Sequence, residues 1–428
     1  MKPGQALQFF ASLEASGVRM GLDRIERALG ALDHPQREYR ALHVAGTNGK
    51  GSTCAFAASC LAAQGYRVGL YTSPHLNRVN ERIQISGQPI SDPVLAQRIV
   101  ELLERYPDAA RDPRPLTFFE FGTLVALWHF AREKVDLAVL ETGLGGRLDA
   151  TSAAQPAVTA VTPISFDHTE YLGHSLAAIA SEKAGIFKPG VPVVLSRQSG
   201  EALAVLQETA FRLRSPVLIE TRDFELAGDG RGGFTYRGAR GQVPELRLGL
   251  RGAHQVQNAA VALACLELLE SAGFAVSPAN RRAGLAGTKW PGRLEELDGD
   301  PPVVLDGAHN PAAIEVLVAA LNELYPRRRI HLVFGVLADK DYRAMIQRLL
   351  PLCTSVHLTP VASPRTLLPE KYLSESKQLC ADTSAHATAA DALRAARRRA
   401  SRDADLVLCT GSLFLVGTVR SLVAERSK

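Results

Sequence analysis

The strongest constraint on this chain is an alternation of short apolar runs with stretches of helical spacing. "REYRALHVAG" ends in such a run, the glycine-rich "GTNGKGS" follows, and "STCAFAASCLAAQG" reads as a helix closed by Gly65. "YRVGLYTSPH", "VDLAVLETG", "PAVTAVTPI" and "GVPVVLS" read as four further strands, with "LTFFEFGTLVALWHFAREK" as a long helix ahead of the third strand. Strands that alternate with helices build a parallel sheet covered on both faces. Residues 221–250 change character, with glycine turns between short segments that predict a small antiparallel patch. A turn-rich seam at Asp298–Pro302 then precedes a second alternating series, from "PVVLD" through "RIHLVFG" and "SVHLTP" to "ADLVLCTGS" and a last helix. A chain of 428 residues exceeds what one core supports. Two α/β domains are expected, 1–297 and 298–428.

Composition narrows the class. No run approaches the roughly 18 apolar residues of a membrane helix, and the N-terminus lacks the apolar core of a signal peptide. A cytoplasmic protein is expected. The six cysteines are scattered without a C-x-x-C pair, which indicates neither a disulfide framework nor a zinc site. The net charge of +5 is small, and basic runs such as "RAARRRASR" lack interleaved aromatics, so nucleic acid is not an expected partner.

"HVAGTNGKGSTCAF" resembles a phosphate-binding loop that departs from the common pattern. In G-x-x-x-x-G-K-[ST] the hydroxyl that helps hold magnesium follows the lysine, but here Gly51 stands between Lys50 and Ser52. A loop between a buried strand and a helix N-terminus gathers free N–H groups and the positive end of the dipole. Gly46, Gly49 and Gly51 permit close backbone approach, and Lys50 reaches outer phosphates. Three candidate magnesium ligands lie at the C-terminal ends of predicted strands, where ligands bind a parallel sheet: Ser73, Glu141 and His168. Each also has a plainer use, Ser73 starting a turn, Glu141 capping a loop and His168 packing on Asp167. A zinc site from His168 and His174 fits no helical spacing. "ETGLGGRLDA" fails as a dinucleotide fingerprint because Leu148 stands where a glycine is needed, so no nicotinamide cofactor is expected.

The strings "GTNGKGST", "YTSPHLNRVNERI", "TFFEFGTLVALWHF", "ETGLGGRLDATS", "DHTEYLG", "EKAGIFKPG", "HQVQNAAVAL", "WPGR", "DGAHNP" and "DKD" together resemble the folylpolyglutamate synthase and dihydrofolate synthase family, within the ATP-dependent Mur ligases. The resemblance implies an N-terminal P-loop ATPase-like domain of Mur ligase central-domain type and a C-terminal Rossmann-like domain. It implies ATP at Gly46, Thr47, Asn48, Gly49, Lys50, Gly51, Ser52, Asn258, Arg293 and Asp306, and two Mg2+ sites at Ser73, Glu141 and His168. It also implies that Lys183, in "SEKAGIF", is carbamylated and helps hold the second ion, which requires a neutral amine. Lys50, Lys183 and His168 are thus the expected catalytic group.

Thr117, Phe118, Phe119 and Glu120, with Leu148, Asp149 and Ala150, are implied to line a dihydropteroate pocket, the two rings flanking the heterocycle and Glu120 accepting its hydrogen bonds. By pattern alone the phenylalanines equally suit a core helix. "GVRMGLDRI" occupies the place of a family loop tied to dihydropteroate. His309 and Ser412, near helix starts in "DGAHNP" and "TGSLF", are candidates for glutamate carboxylates. The implied reaction adds L-glutamate to dihydropteroate and to reduced folates through an acyl phosphate, in a monomer whose partners are small molecules. Polyglutamylation alone, a cell-wall Mur ligase and a non-catalytic nucleotide-binding protein are the competing readings.

Overall fold

The run "ALHVA" becomes β1 (Arg40–Ala45), buried from its second residue onward, as a central strand covered on both faces must be. The computed structural model describes residues 2–111, 116–228, 233–299, 301–401 and 404–425. Residues 229–232 of the expected antiparallel patch, Asp300 of the seam and Arg402 of the basic run lie outside the described residues.

Seven strands join β1 in one sheet: β2 (Val68–Tyr71), β3 (Ile83–Ile85), β4 (Gln88–Pro89), β5 (Leu137–Glu141), β6 (Pro156–Val161), β7 (Val193–Leu195) and β8 (Val217–Ile219). Their spatial order is β4-β3-β2-β5-β1-β6-β7-β8. Neighbours from β2 to β8 run parallel, and β3 and β4 turn back antiparallel at the edge. The loop leaving β1 therefore opens between the ends of β5 and β6, at the point where the strand order reverses and ligands are received. The helix Lys50–Ala63 has no polar face because almost all of it is buried. Ser59 donates to the Gly284 carbonyl at 2.7 Å, and a Cβ on Gly284 would strike the Cys60 backbone, so the helix Pro278–Gly287 approaches it closely. The antiparallel patch forms β9 (Glu225–Gly228), β10 (Phe234–Gly238) and β11 (Gly241–Leu246).

A third sheet comprises β12 (Glu295–Leu297), β13 (Val303–Leu305), β14 (Arg329–Phe334), β15 (Cys353–Leu358), β16 (Thr383–Ala385) and β17 (Asp405–Thr410), in the order β12-β13-β17-β14-β15-β16. It is parallel except for β12, which pairs antiparallel with β13. The turn-rich Asp298–Pro302 thus joins neighbours within one sheet. Two compact units result, the first made of Met1–Pro74, Val79–Gly249 and Gln255–Thr288, the second of His75–Arg78, Leu250–His254 and Lys289–Lys428. Within the second, Leu76 packs into a cluster with Val303, Leu305, Val416 and Val419, and a Cβ on Gly417 would strike the Leu76 carbonyl. Among the described residues no helix is long and apolar enough to cross a membrane.

Candidate active site

The glycine loop is built by close packing on β6. Gly46 has φ +146° and a Cβ there would run into the Thr162 hydroxyl; Gly49 has φ +88° and a Cβ there would meet the Asn258 amide. Only glycine fits both positions. Thr47 and Asn48 donate their N–H groups to the Pro163 carbonyl at 3.0 and 3.3 Å, and the Thr47 hydroxyl donates to the Ser165 carbonyl at 3.1 Å. Gly49 caps the helix Lys50–Ala63 without a side chain, leaving the first-turn N–H groups at Gly51 and Ser52 in a favourable field for an anion. Lys50 folds back so that Nζ donates to the Thr47 carbonyl at 3.0 Å. Asn258, remote in sequence, closes the loop's far side, with the Thr53 hydroxyl donating to its carbonyl at 3.5 Å.

The loop is flanked on both sides. On the β5 side, the Ser73 N–H donates to Glu141 Oε2 at 3.0 Å, which sets these two candidate metal ligands together at the ends of adjacent parallel strands. On the β6 side, Asp167 and His168 lead into a short helix, His168 with φ +51° and its Nε2 3.9 Å from Asp167 Oδ1. Lys183 lies beneath, buried, and its Nζ donates to the Gly46 carbonyl at 2.8 Å. Burial and the neighbouring Lys50 push the Lys183 amine down to about 7, opposed by Asp167 and Asp149. Asp167 escaped the sequence reading as a site residue, although it adjoins His168.

The residues expected to face a flat heterocycle are largely engaged with the protein itself. Thr117 caps the helix Phe118–Arg132: Glu120 N–H donates to its hydroxyl at 3.2 Å, and Thr117 N–H donates to Glu120 Oε2 at 2.7 Å. Arg24 of "GVRMGLDRI" donates to Glu120 Oε1 at 2.9 Å. The Phe118 ring stacks on Phe10 at 4.7 Å and has the Arg82 guanidinium over it at 5.1 Å. Phe119 lies against Gly143, where a Cβ would strike its ring. Asp149 accepts from Gly143, Leu144 and Thr151 N–H groups at 2.8 to 3.0 Å, organising the "GLGGRLDA" turn, and Ala150 is buried beside it. Leu148 is half-buried. Arg24 and Arg82 are the polar groups that pattern reading did not single out here, though both sit in quoted motifs.

In the second unit, the loops after β13 and β17 are tied together. Asp306 is buried, accepting from Leu294 N–H at 3.0 Å and Ala308 N–H at 2.9 Å, while Gly411 N–H donates to the Ala308 carbonyl at 3.0 Å. Arg293 is half-buried, its Nη1 close to Gly307. His309 Nδ1 lies 2.8 Å from the Gly307 carbonyl, and Ser412 accepts from Phe414 N–H at 3.3 Å as a helix cap. Among the described residues no cluster of three or more His, Cys, Asp and Glu could hold a metal alone. The Ser73 hydroxyl and Glu141 carboxylate are oxygen donors of the kind magnesium takes beside phosphates, and His168 stands on the loop's other side.

Comparison with known proteins finds the Mur ligase middle domain over residues 44–266 and the Mur ligase glutamate ligase domain over 292–413. The chain is 37% identical over 416 residues to the dihydrofolate synthase/folylpolyglutamate synthase of Bacillus subtilis, covering 94% of this chain and 95% of that one. It is 39% identical over 407 residues to the folylpolyglutamate synthase of Lacticaseibacillus casei, covering 93% of each. The solved E. coli FolC in complex with DHPP and ADP superposes with a TM-score of 0.89 at 32% identity, over 99% of this chain and 98% of that one.

Proposed function

This chain belongs to the Mur ligase family, in its dihydrofolate synthase/folylpolyglutamate synthase branch, and on that premise we propose that it joins L-glutamate both to dihydropteroate and to reduced folates at the expense of ATP. The observation that supports this most is the glycine loop at the head of β1, with Ser73 and Glu141 on one side and Asp167, His168 and Lys183 on the other. The acceptor carboxylate oxygen attacks the γ-phosphorus, the bond to the bridging oxygen breaks and ADP leaves. The glutamate amine then attacks the acyl carbon, loses a proton, and phosphate departs. The Gly51 and Ser52 N–H groups and Lys50 hold the polyphosphate and offset charge that develops in transfer, a reaction governed by positioning and electrostatics. Ser73, Glu141 and His168 would hold Mg2+, which when bound neutralises phosphate charge. The lowered Lys183 amine supports its conversion to a carbamate, an added oxygen ligand for a second ion.

The assignment of Asn258, Arg293 and Asp306 to the nucleotide rests on the resemblance, and that of His309 and Ser412 to glutamate on their places near helix starts after β13 and β17. The resemblance also carries the pterin role of the segment from Thr117 to Glu120 and of Leu148 to Ala150, where the contact of Arg24 with Glu120 argues for a pocket wall preformed by the protein. A monomer acting in the cytoplasm is the corresponding setting. Because one relative is named for both activities and another for polyglutamylation alone, acceptor choice is the deciding test. Purified protein with MgATP and L-glutamate should release ADP on addition of dihydropteroate or of tetrahydrofolate. Response to tetrahydrofolate alone would reduce the function to polyglutamylation, and turnover only on a UDP-muramyl acceptor would overturn it.

A further inference from the structure

Across the third sheet, on the face covered by the helix Ala389–Arg399, a chain of polar side chains runs from strand to strand. His331 Nε2 of β14 lies 3.2 Å from Asp405 Oδ2 of β17, and His331 Nδ1 lies 2.8 Å from the Ser355 hydroxyl of β15. Ser355 Oγ lies 3.0 Å from His357 Nε2, and His357 Nδ1 lies 3.1 Å from His386 Nε2, just past β16. Ser384 Oγ of β16 completes a triangle, 3.2 Å from His357 Nδ1 and 2.9 Å from His386 Nε2.

The carboxylate fixes which atom carries each proton. Asp405 is held down to about 2 by Arg329, the Ser401 N–H and His331 against the opposing cost of burial, so it accepts, and His331 must donate from Nε2. With its proton at Nε2, His331 presents Nδ1 to the Ser355 hydroxyl, which donates to it. Ser355, its proton spent, accepts from His357 Nε2–H. The relay therefore leaves the His357 Nδ1 lone pair pointing at the corner where His386 and Ser384 meet. A ligating histidine whose other nitrogen donates into a buried acceptor, ending in a carboxylate, is the arrangement that orients metal-binding imidazoles. Bonds of about 2.1 Å at the tetrahedral angle set neighbouring donors about 3.4 Å apart; the three here lie 2.9 to 3.2 Å apart in mutual hydrogen-bond contact, and an ion entering the corner would spread them by a few tenths of an ångström.

We propose that His357 Nδ1, His386 Nε2 and Ser384 Oγ form a binding site for a zinc-class divalent transition metal at the β16 edge. Solvent completes the coordination, since Ser384 and His386 are half-exposed while His357 is buried. Burial, with His386, His331 and Arg399 adding to it and Asp382 opposing, pushes His357 down to about 4, and burial with Arg398 lowers His386 against Asp391.

The test is a titration of ZnCl2 into metal-stripped full-length protein in buffer with excess Mg2+, followed calorimetrically, on wild type, His386→Ala and Ser384→Ala. The proposal expects one zinc equivalent that weakens at least tenfold in His386→Ala and less in Ser384→Ala. His386→Gln, which keeps a hydrogen-bonding group beside Ser384, replaces the alanine variant if that fails to fold. Anomalous scattering at the zinc edge should place the ion between His357 and His386. Unchanged stoichiometry and affinity in the His386 variant, or zinc located only elsewhere, would overturn it.

Discussion

Lys183 carries the sharpest consequence of any single side chain. Its amine is neutral in the folded protein above about pH 7, whereas in the unfolded chain it stays charged to about 10.5. The folded state thus binds fewer protons between these values, and the lysine's destabilising effect, complete below pH 7, is relieved as pH rises toward 10.5. In protein freed of carbon dioxide, where the amine is unmodified, Lys183→Met should flatten the rise of Tm with pH across that window, removing a penalty on the order of a few kcal/mol at its acidic end. Parallel Tm profiles for the two proteins would remove the lysine from this role. Lys50→Ala should abolish ADP release while leaving the melting curve within a few degrees of wild type, since among the described residues its side chain donates only to the Thr47 carbonyl. Much of this site could be read from letters, because Gly46, Gly49 and Lys50 are adjacent and chemically distinctive. Asp167, Arg24 and Arg82 could not, because their importance comes from partners such as Lys183, Glu120 and Phe118 that only folding brings near.

Elements carry the site by fixing where backbone groups point. The helix Phe118–Arg132 begins with a reciprocal cap between Thr117 and Glu120, and Glu120 also receives Arg24. Thr117→Ala should cost about 1 kcal/mol through loss of the cap, read as a lower denaturant midpoint, and should raise the KM for the pterin acceptor more than that for ATP. An equal rise in both would mean that the cap serves general stability. Five strands of the first sheet, β1, β2, β5, β6 and β7, were legible because each lies in an apolar run between turn signals. β3, β4, β12 and β16 were not, because two or three residues that include polar side chains show neither an apolar run nor a period. The long helix was legible as a helix, but its phenylalanines were not separable into packing and ligand contact, since Phe118 stacked on Phe10 has the same letter either way.

For the whole molecule, the alternation of strands and helices announced two α/β bodies, yet the chain does not divide between them at one point. β12 belongs with β13, and the short segments His75–Arg78 and Leu250–His254 belong to the second unit although the first surrounds them in sequence. Nothing in four or five letters marks such a segment; Leu76 reveals itself only by packing with Val416 and Val419. A fragment of residues 289–428 should therefore expose the apolar surface that Leu76 covers, and it should melt less cooperatively than the corresponding part of the full chain. Equal stability by circular dichroism would make the two segments dispensable. The interleaving reaches further than stability. A gene for this protein cannot trade its second half with a cousin's by a single recombination event near codon 288, since two scraps of the partner fold would stay behind in the first half and meet a foreign core. Lineages that carry this architecture should accordingly inherit both halves as one block.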